Sequence, residues 1–462
     1  MTFSSSKKGL KTLYAVIIAV IIIVAAVAIG LAYVYTRPSS SSGKITITFS
    51  YNQYFQDSFT PGIPTTWASL VNYVNQTFPN INLVFLEAPS ILDTWHDLYV
   101  TYFNAGSSTP DILGIINYWI PEFVTNKWIL PLSGYIQNSL NETIAQFENG
   151  WFPQVMAMAS YPFTAGSELY GIPWWAGIGG LYYRSDLLND CGLQPPQTYD
   201  QLVSDVQTIF ANQTLMAANP GLVGYTWPGM QDQSLVNCWT AYFDGFGGQW
   251  YNTTTGACTV NDAGGIAALT YMRNLITQGI SPPAVTTWKE EEAEVDFEQG
   301  KAIFELGRND LFSTLSVPGN PVYNEWGFEP NPAESDGFHA GAFEGWSMAI
   351  NAFSKHPQQA WDVLQVLSTY NMQKEILLSQ GPLQGVEALF NDSEVLSYYP
   401  TLPALTSVMP TGQNSIVSIS YTAVSDVLQQ DLSAALTGIM SPTAALNDAA
   451  TRIDAINAQT PT

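Results

Sequence analysis

Segments of strand period and helix period take turns along the first part of this chain, and that alternation constrains the fold more than any other feature. Lys44–Tyr51 (KITITFSY) alternates apolar and polar side chains, as a strand does. A helix follows around Thr65–Phe78, then a strand over Ile81–Phe85 and a helix over Ile91–Asn104. Thr109-Pro110-Asp111-Ile112-Leu113 then leads into Asn117-Tyr118-Trp119. Strands separated by helices imply a mainly parallel α/β sheet. Ligands of such sheets sit beyond the carboxyl ends of the strands. That rule alone nominates Tyr51 and Asn52, and Asn117, Tyr118 and Trp119.

Ahead of this body lies Leu13–Tyr35, a run of 23 residues without a charged side chain. As a helix it is ~35 Å long, against ~30 Å of bilayer hydrocarbon. Lys7, Lys8 and Lys11 precede it, so the positive-inside bias leaves the N-terminus in the cytoplasm and the body outside. Five of the 14 basic residues stand at or before Lys44 and none of the 38 acidic ones does, which leaves the remainder with a formal charge of −29. So acidic a body repels phosphate, and a nucleic-acid partner is disfavoured. In acid most of those carboxylates are protonated and the mutual repulsion falls; the balance points to an acidic exterior.

Farther on, Thr198–Phe210, Asn261–Gln278 and Lys289–Gln299 read as helices, and Lys301–Gly307 as a strand into a turn. Glu290-Glu291-Glu292 with Glu294 reads as a solvated helix face rather than a catalytic or metal site. Trp346–Ile350 reads as a strand, followed by a helix with Pro357 in its first turn, where a missing N–H costs nothing. Two last helices carry Val424, Val427, Leu428 and Leu432, then Leu446, Ala449, Ala450 and Ile453. Three cysteines are too few for a disulfide scaffold. Cys238 and Cys258 flank a glycine-rich turn and either bridge a helix to the next loop or stay free and buried. N-x-S/T sequons stand at Asn75, Asn141, Asn212, Asn252 and Asn391, as expected of a glycosylated exterior protein.

Tyr170–Leu188 reads YGIPWWAGIGGLYYRSDLL. In an extended chain Trp174 and Trp175 point to opposite faces, one toward a core and one toward a ligand. The stretch resembles a segment of the family 1 extracellular solute-binding proteins, the sugar-capturing subunits of ABC importers. TPDILGIINYWIPEFVTNKWILPL, DFEQGKAIFELG, GAFEGWSMAI and LTGIMSPTAALNDAATRI match the same family, in family order. The resemblance implies two α/β lobes of the type II periplasmic-binding-protein kind, joined by a hinge and closing on a sugar. With the N-terminal run read as above, the chain opens with a basic signal region over 1–12, a transmembrane anchor over 13–35 and a linker over 36–44. Lobe 1 then takes 45–173 and 341–400, and lobe 2 takes 174–340 and 401–462. Carried over residue by residue, the cleft positions are Tyr51, Asn52, Asn117, Tyr118, Trp119, Trp174, Trp175, Arg308, Asn309, Glu344 and Trp346, with Trp239 as a further aromatic. Aromatic rings suit the C–H faces of a pyranose, and Asn, Glu and Arg suit its hydroxyls. Lys7-Lys8-Gly9-Leu10 resembles class III, pilin-type signals of archaeal sugar-binding proteins, cut between Gly9 and Leu10 with the apolar helix kept. An uncut anchor is the alternative. Many relatives carry a basic residue in the loop matching Gly381-Pro382-Leu383-Gln384; it is absent here, and that loop is left out of the site.

The implied partners are a mono- or short oligosaccharide, glucose-type favoured, and the permease subunits with their ATPase. No cofactor or metal is implied. An enzyme would need a site, and the chain has no nucleophile elbow, HExxH or phosphate loop. His96, His339 and His356 lack metal-ligand spacing, and His96 is expected to pack or face solvent. A binder of another solute such as a peptide, an anchored glycoside hydrolase and a surface adhesin remain the competing readings.

Overall fold

The computed structural model describes residues 43–459, apart from 61, 335–336 and 382–383. The apolar run 13–35, Gly9 with Leu10, and most of the linker 36–44 lie outside the described residues. Among the described residues no helix is long and apolar enough to cross a membrane.

In chain order the strands are β1 (Ile45–Tyr51), β2 (Ile81–Glu87), β3 (Ile112–Ile116), β4 (Ser160–Tyr161), β5 (Glu168–Leu169), β6 (Ile172–Arg184), β7 (Val223–Thr226), β8 (Ala302–Arg308), β9 (Trp326–Glu329), β10 (Gly341–Ile350) and β11 (Gly412–Asn414). One sheet runs β2-β1-β3-β10-β6-β8-β7, with β11 on β10 and β9 on β6. β1 is parallel to β2 and β3, as the alternation predicts. β10 runs antiparallel to β3 and β6, and β6 antiparallel to β8 and β9. The sheet is therefore mixed rather than mainly parallel, because two long strands cross its middle in opposite directions.

β6 joins the two halves of the sheet. Its first part faces β10 as far as Ile178, and from Gly179 onward it faces β8. The change of partner falls C-terminal to Pro173, where the sequence placed the crossing. Asn309 fixes this point. Its Oδ1 accepts the Ile178 N–H at 2.9 Å, and its Nδ2 donates to the Ala176 carbonyl.

β1 is buried from Ile47 to Tyr51 because helices cover both faces. Phe49 meets Trp67 of helix Thr66–Thr77 at 5.7 Å between ring centroids. The Ser50 carbonyl accepts the Tyr99 hydroxyl of helix Leu92–Asn104. Asp111 locks the start of β3 against β1, accepting both the N–H and the hydroxyl of Thr48. Helix starts follow their local chemistry. Thr65 accepts the Ala68 N–H, and Thr198 with Gln201 forms a reciprocal capping box. Pro357 and Pro442 open Pro357–Leu367 and Pro442–Asn457.

The structure corrects the cysteine bridge. Cys191, Cys238 and Cys258 are all free. On helix Gln233–Gly245 it is Trp239 and Phe243, four apart, that pack on Trp250 in the loop before Cys258. Cys238 is one residue, about 100°, off that face. Of the sequons, Asn75, Asn141, Asn252 and Asn391 are exposed. Asn212 is half-buried, and its side chain accepts the Leu215 N–H as a helix cap.

Candidate ligand-binding cleft

A cleft of about 470 Å³ opens where β1, β6, β8 and β10 converge. Its floor is aromatic. Tyr51, the last residue of β1, is fully buried and turns its ring over Gly114 of β3; a Cβ there would lie 2.1 Å from the ring. The ring meets Trp174 edge-on at 4.7 Å and Trp346 at 5.5 Å. Trp346 stacks on Trp95 at 4.5 Å, and Trp119 abuts both. Five large rings thus brace one another, which holds them at fixed angles before any ligand arrives.

The paired tryptophans divide the work, though not by simple alternation. Trp346 of β10 lies opposite Trp175, and the next residue, Ser347, lies opposite Pro173. Trp174 is the extra residue of a β-bulge, and a bulge re-aims side chains. Both indoles consequently line the cleft. Trp174 is sunk in the floor at 2 % exposure, whereas Trp175 is only partly covered. The Trp175 ring lies down along its own strand because Gly177 leaves room; a Cβ there would come within 2.6 Å of the ring. The Arg308 guanidinium sits over that indole, 5.2 Å from its centroid.

The opposite wall is charged. Arg308 ends β8 and reaches Glu290 at 2.7 Å, Asp310 at 3.2 Å and Glu344 at 3.4 Å. Glu344 also accepts the Asn237 amide at 2.7 Å. Burial pushes Glu290 up to about 8 despite the opposing charge of Arg308. Burial, then Asp310 and Glu290, raise Glu294 well above the ordinary carboxylate range. Carboxylate oxygens of Glu290, Glu294 and Asp310 lie within 4.8 Å of one another, close enough for a cation to bridge, but Arg308 already supplies positive charge there. The reading of the glutamate run as a solvated face is therefore corrected: Glu290, Glu291 and Glu294 line the cleft. Only Glu292 keeps a purely local role, accepting the Lys289 N–H at the helix start.

Of the residues nominated from sequence, Tyr51, Asn52, Trp174, Trp175, Arg308, Glu344 and Trp346 come together in this cleft. Tyr118 and Trp119 line an adjoining cavity of about 330 Å³. Three others are employed elsewhere. Asn117 donates to Asn414 and accepts the Gly345 N–H, tying β10 and β11 to the end of β3. Asn309 is spent on the β6 backbone, as described above. Trp239 is fully buried against Phe243 and Trp250, because its helix turns Asn237 toward the cleft instead. His96 packs between Trp119 and Phe123, with Nε2 at 2.7 Å from Glu122. Sequence reasoning missed Trp95, Glu290, Glu294, Asp310 and Gln380. Glu290 and Glu294 share one helix face at four-residue spacing, a readable signal; nothing local to Trp95 or Gln380 marks them. In the unassigned loop, Gln384 donates to the Trp174 carbonyl at 3.0 Å and so supports the floor from behind.

The family model described as "Bacterial extracellular solute-binding protein" matches residues 57–374. The chain belongs to that family. A probable ABC transporter-binding protein of Deinococcus radiodurans is 30% identical over 287 residues, covering 61% of this chain and 68% of the relative. A putative binding protein of Brucella abortus is 24% identical, covering 82% of this chain and 86% of its own length. Among solved structures, maltose-bound T. maritima MalE3 matches with a TM-score of 0.73 at 26% identity, over 89% of this chain and 99% of that one. The sugar-binding protein MalE of Xanthomonas citri matches with a TM-score of 0.74 at 21% identity, over 90% and 98%. The fold is thus the two-lobe α/β architecture of these binding proteins. Members of the family are solute-binding components of ABC transporters, not enzymes.

Proposed function

We propose that this chain is the extracellular sugar-binding subunit of an ABC importer, tethered to the membrane by its N-terminal apolar run. It captures a mono- or short oligosaccharide, glucose-type favoured, and delivers it to permease subunits with their ATPase. The observation that carries this reading is the pairing of a partly open Trp175 platform with Glu344, Arg308 and Asn52 in one cleft. A pyranose lays its C–H face on the indole and shares its hydroxyls with those polar groups. The cleft volume lies within the ~300–1,000 Å³ of small-molecule sites. Lobe 1 and lobe 2 meet in this reading where β6 changes partner, so closure brings the charged wall onto the aromatic floor.

Anchoring rests on Leu13–Tyr35 and its flanking lysines, and cleavage after Gly9 on the Lys7–Leu10 motif. Mass spectrometry of the mature N-terminus distinguishes a chain starting at Leu10 from an uncut one. The exposed Asn75, Asn141, Asn252 and Asn391 are the preferred glycan acceptors.

The test is thermal unfolding of the full chain in a sugar-free detergent against a panel of sugars in acid buffer. A ligand at 100 times its Kd adds about 2.7 kcal/mol of stability. A flat response to every mono- and oligosaccharide overturns the reading and reopens peptides and other solutes.

A further inference from the structure

The cleft does not end at Trp346. The adjoining cavity of about 330 Å³ shares Ser90 and Leu92 with it, so the two compartments are continuous at that edge. They also share a floor: Trp95 and Trp346 line the first, Trp119 lines the second, and Trp119 touches both at 6.0 and 5.7 Å. Beyond Trp119 the floor extends through Tyr118, which stacks on Tyr421 at 4.3 Å and 17°. The second compartment carries an aromatic base and polar sides, the same division as the first. Its far side is one face of helix Tyr421–Leu436, where Tyr421, Ser425 and Gln429 recur at four-residue spacing with Thr422 and Asp426 beside them. Gln429 is held by Ser425, which in turn donates to Gln233, so these side chains are oriented toward the cavity in advance. Asp93 faces Asp426 across the mouth, and among the described residues no ion pair engages either. Both carboxylates are exposed acceptors at the rim, placed to take hydrogen bonds from the hydroxyls of a saccharide.

We propose that this second compartment is a subsite for a further sugar unit, so that the cleft takes a saccharide of at least two rings lying past Leu92 along the Trp346–Trp119–Tyr118 floor. The inference rests on the sugar-binding reading above and adds the length of the ligand. It makes Asp426 and Gln429 determinants of chain length rather than of binding as such. Neither lines the first compartment, and Asp426 lies at the exposed rim, where substitution is tolerated.

Calorimetry on the full chain in a sugar-free detergent, with glucose and with gluco-oligosaccharides of two and three units, tests this. A disaccharide binds at least about tenfold tighter than glucose, and the variant Asp426→Ala/Gln429→Ala loses most of that gain while its glucose affinity stays within about twofold. Equal affinity for glucose and the longer chains overturns the subsite and leaves the sugar reading standing. So does a variant that weakens glucose and oligosaccharides alike. Absence of heat with these saccharides, together with a flat thermal response to the wider sugar panel, overturns the sugar reading itself. The comparison of chain lengths on the unaltered chain decides the matter even where the double variant folds poorly.

Discussion

The two walls of the cleft are built on opposite principles. The aromatic floor of Tyr51, Trp95, Trp174, Trp119 and Trp346 is held by packing, each ring braced by at least two aromatic neighbours, Phe55 being the second for Trp174. In the facing wall Glu290, Asp310 and Glu344 converge on one guanidinium, that of Arg308, with Glu294 beside them. Packing is insensitive to pH and salt; a partly buried charge cluster is sensitive to both. The floor therefore belongs to the fold as much as to the ligand, while the wall can be retuned without unfolding the molecule.

The largest effect is expected where floor and fold coincide. Trp174→Ala removes a side chain 2 % exposed and costs about 3–5 kcal/mol of stability, read as a lower denaturation midpoint without sugar. A loss below about 1 kcal/mol breaks the comparison, because the floor would then be a ligand surface only.

Arg308→Ala comes next. Breaking a buried ion pair costs about 3–5 kcal/mol, and at 22 % exposure of the guanidinium side chain the expectation falls to about 2–3 kcal/mol at neutral pH. The cost shrinks in acid, since protonated neighbours no longer need the guanidinium. A cost that is the same at pH 5 and pH 8 removes the charged wall from the argument.

Trp175→Ala tests a half-open ring at the edge of the floor. Sugar affinity should fall by about 1.5–3 kcal/mol, the worth of covering one large apolar side chain, while the midpoint without ligand barely moves. If affinity is untouched, the stacking platform lies elsewhere on the floor.

The adjacent tryptophans also show how far the sequence could be read. Strand–helix alternation in the first part of the chain was legible, because buried strands and capped helices are written in local pattern. Two kinds of fact were not. A bulge at Trp174 flips the expected facing of its neighbours, and register between β6 and β10 is set only by tertiary pairing. Glu290 and Glu294 looked solvated because local polarity does not reveal what a helix is packed against; Arg308, at the end of the next strand, is what draws them inward. Asn117 and Asn309 illustrate the converse error. They stand beside the cleft in sequence, but their amides are consumed elsewhere, Asn117 by the Asn414 side chain and the Gly345 N–H and Asn309 by the backbone of β6.

The smallest effect expected is the response to pH. Glu290 is raised to about 8 and Glu294 well above its ordinary value, chiefly by burial. For a carboxyl whose folded pKa exceeds its unfolded value of about 4.3, stability is greatest below the unfolded value and is lost as pH rises through the folded one. The chain should therefore melt higher at pH 5 than at pH 8. Arg308 opposes this trend, while Asp310, Glu344, Glu291 and Glu305 reinforce it from the neighbouring strand, turn and helix. Asp244, raised to about 7 by burial, contributes with the same sign outside the cleft. Asp392 acts the other way: Tyr370 and Lys374 hold it low, so its contribution is lost only when acid reaches its own depressed range, below the window from 5 to 8. Glu294→Gln separates these sources. It mimics the protonated side chain, so it should raise the midpoint most at pH 8, less at pH 5, and flatten the slope between them. If Glu294→Gln leaves the slope intact, the pH response belongs to Asp244 and its like, and the wall is no softer than the floor.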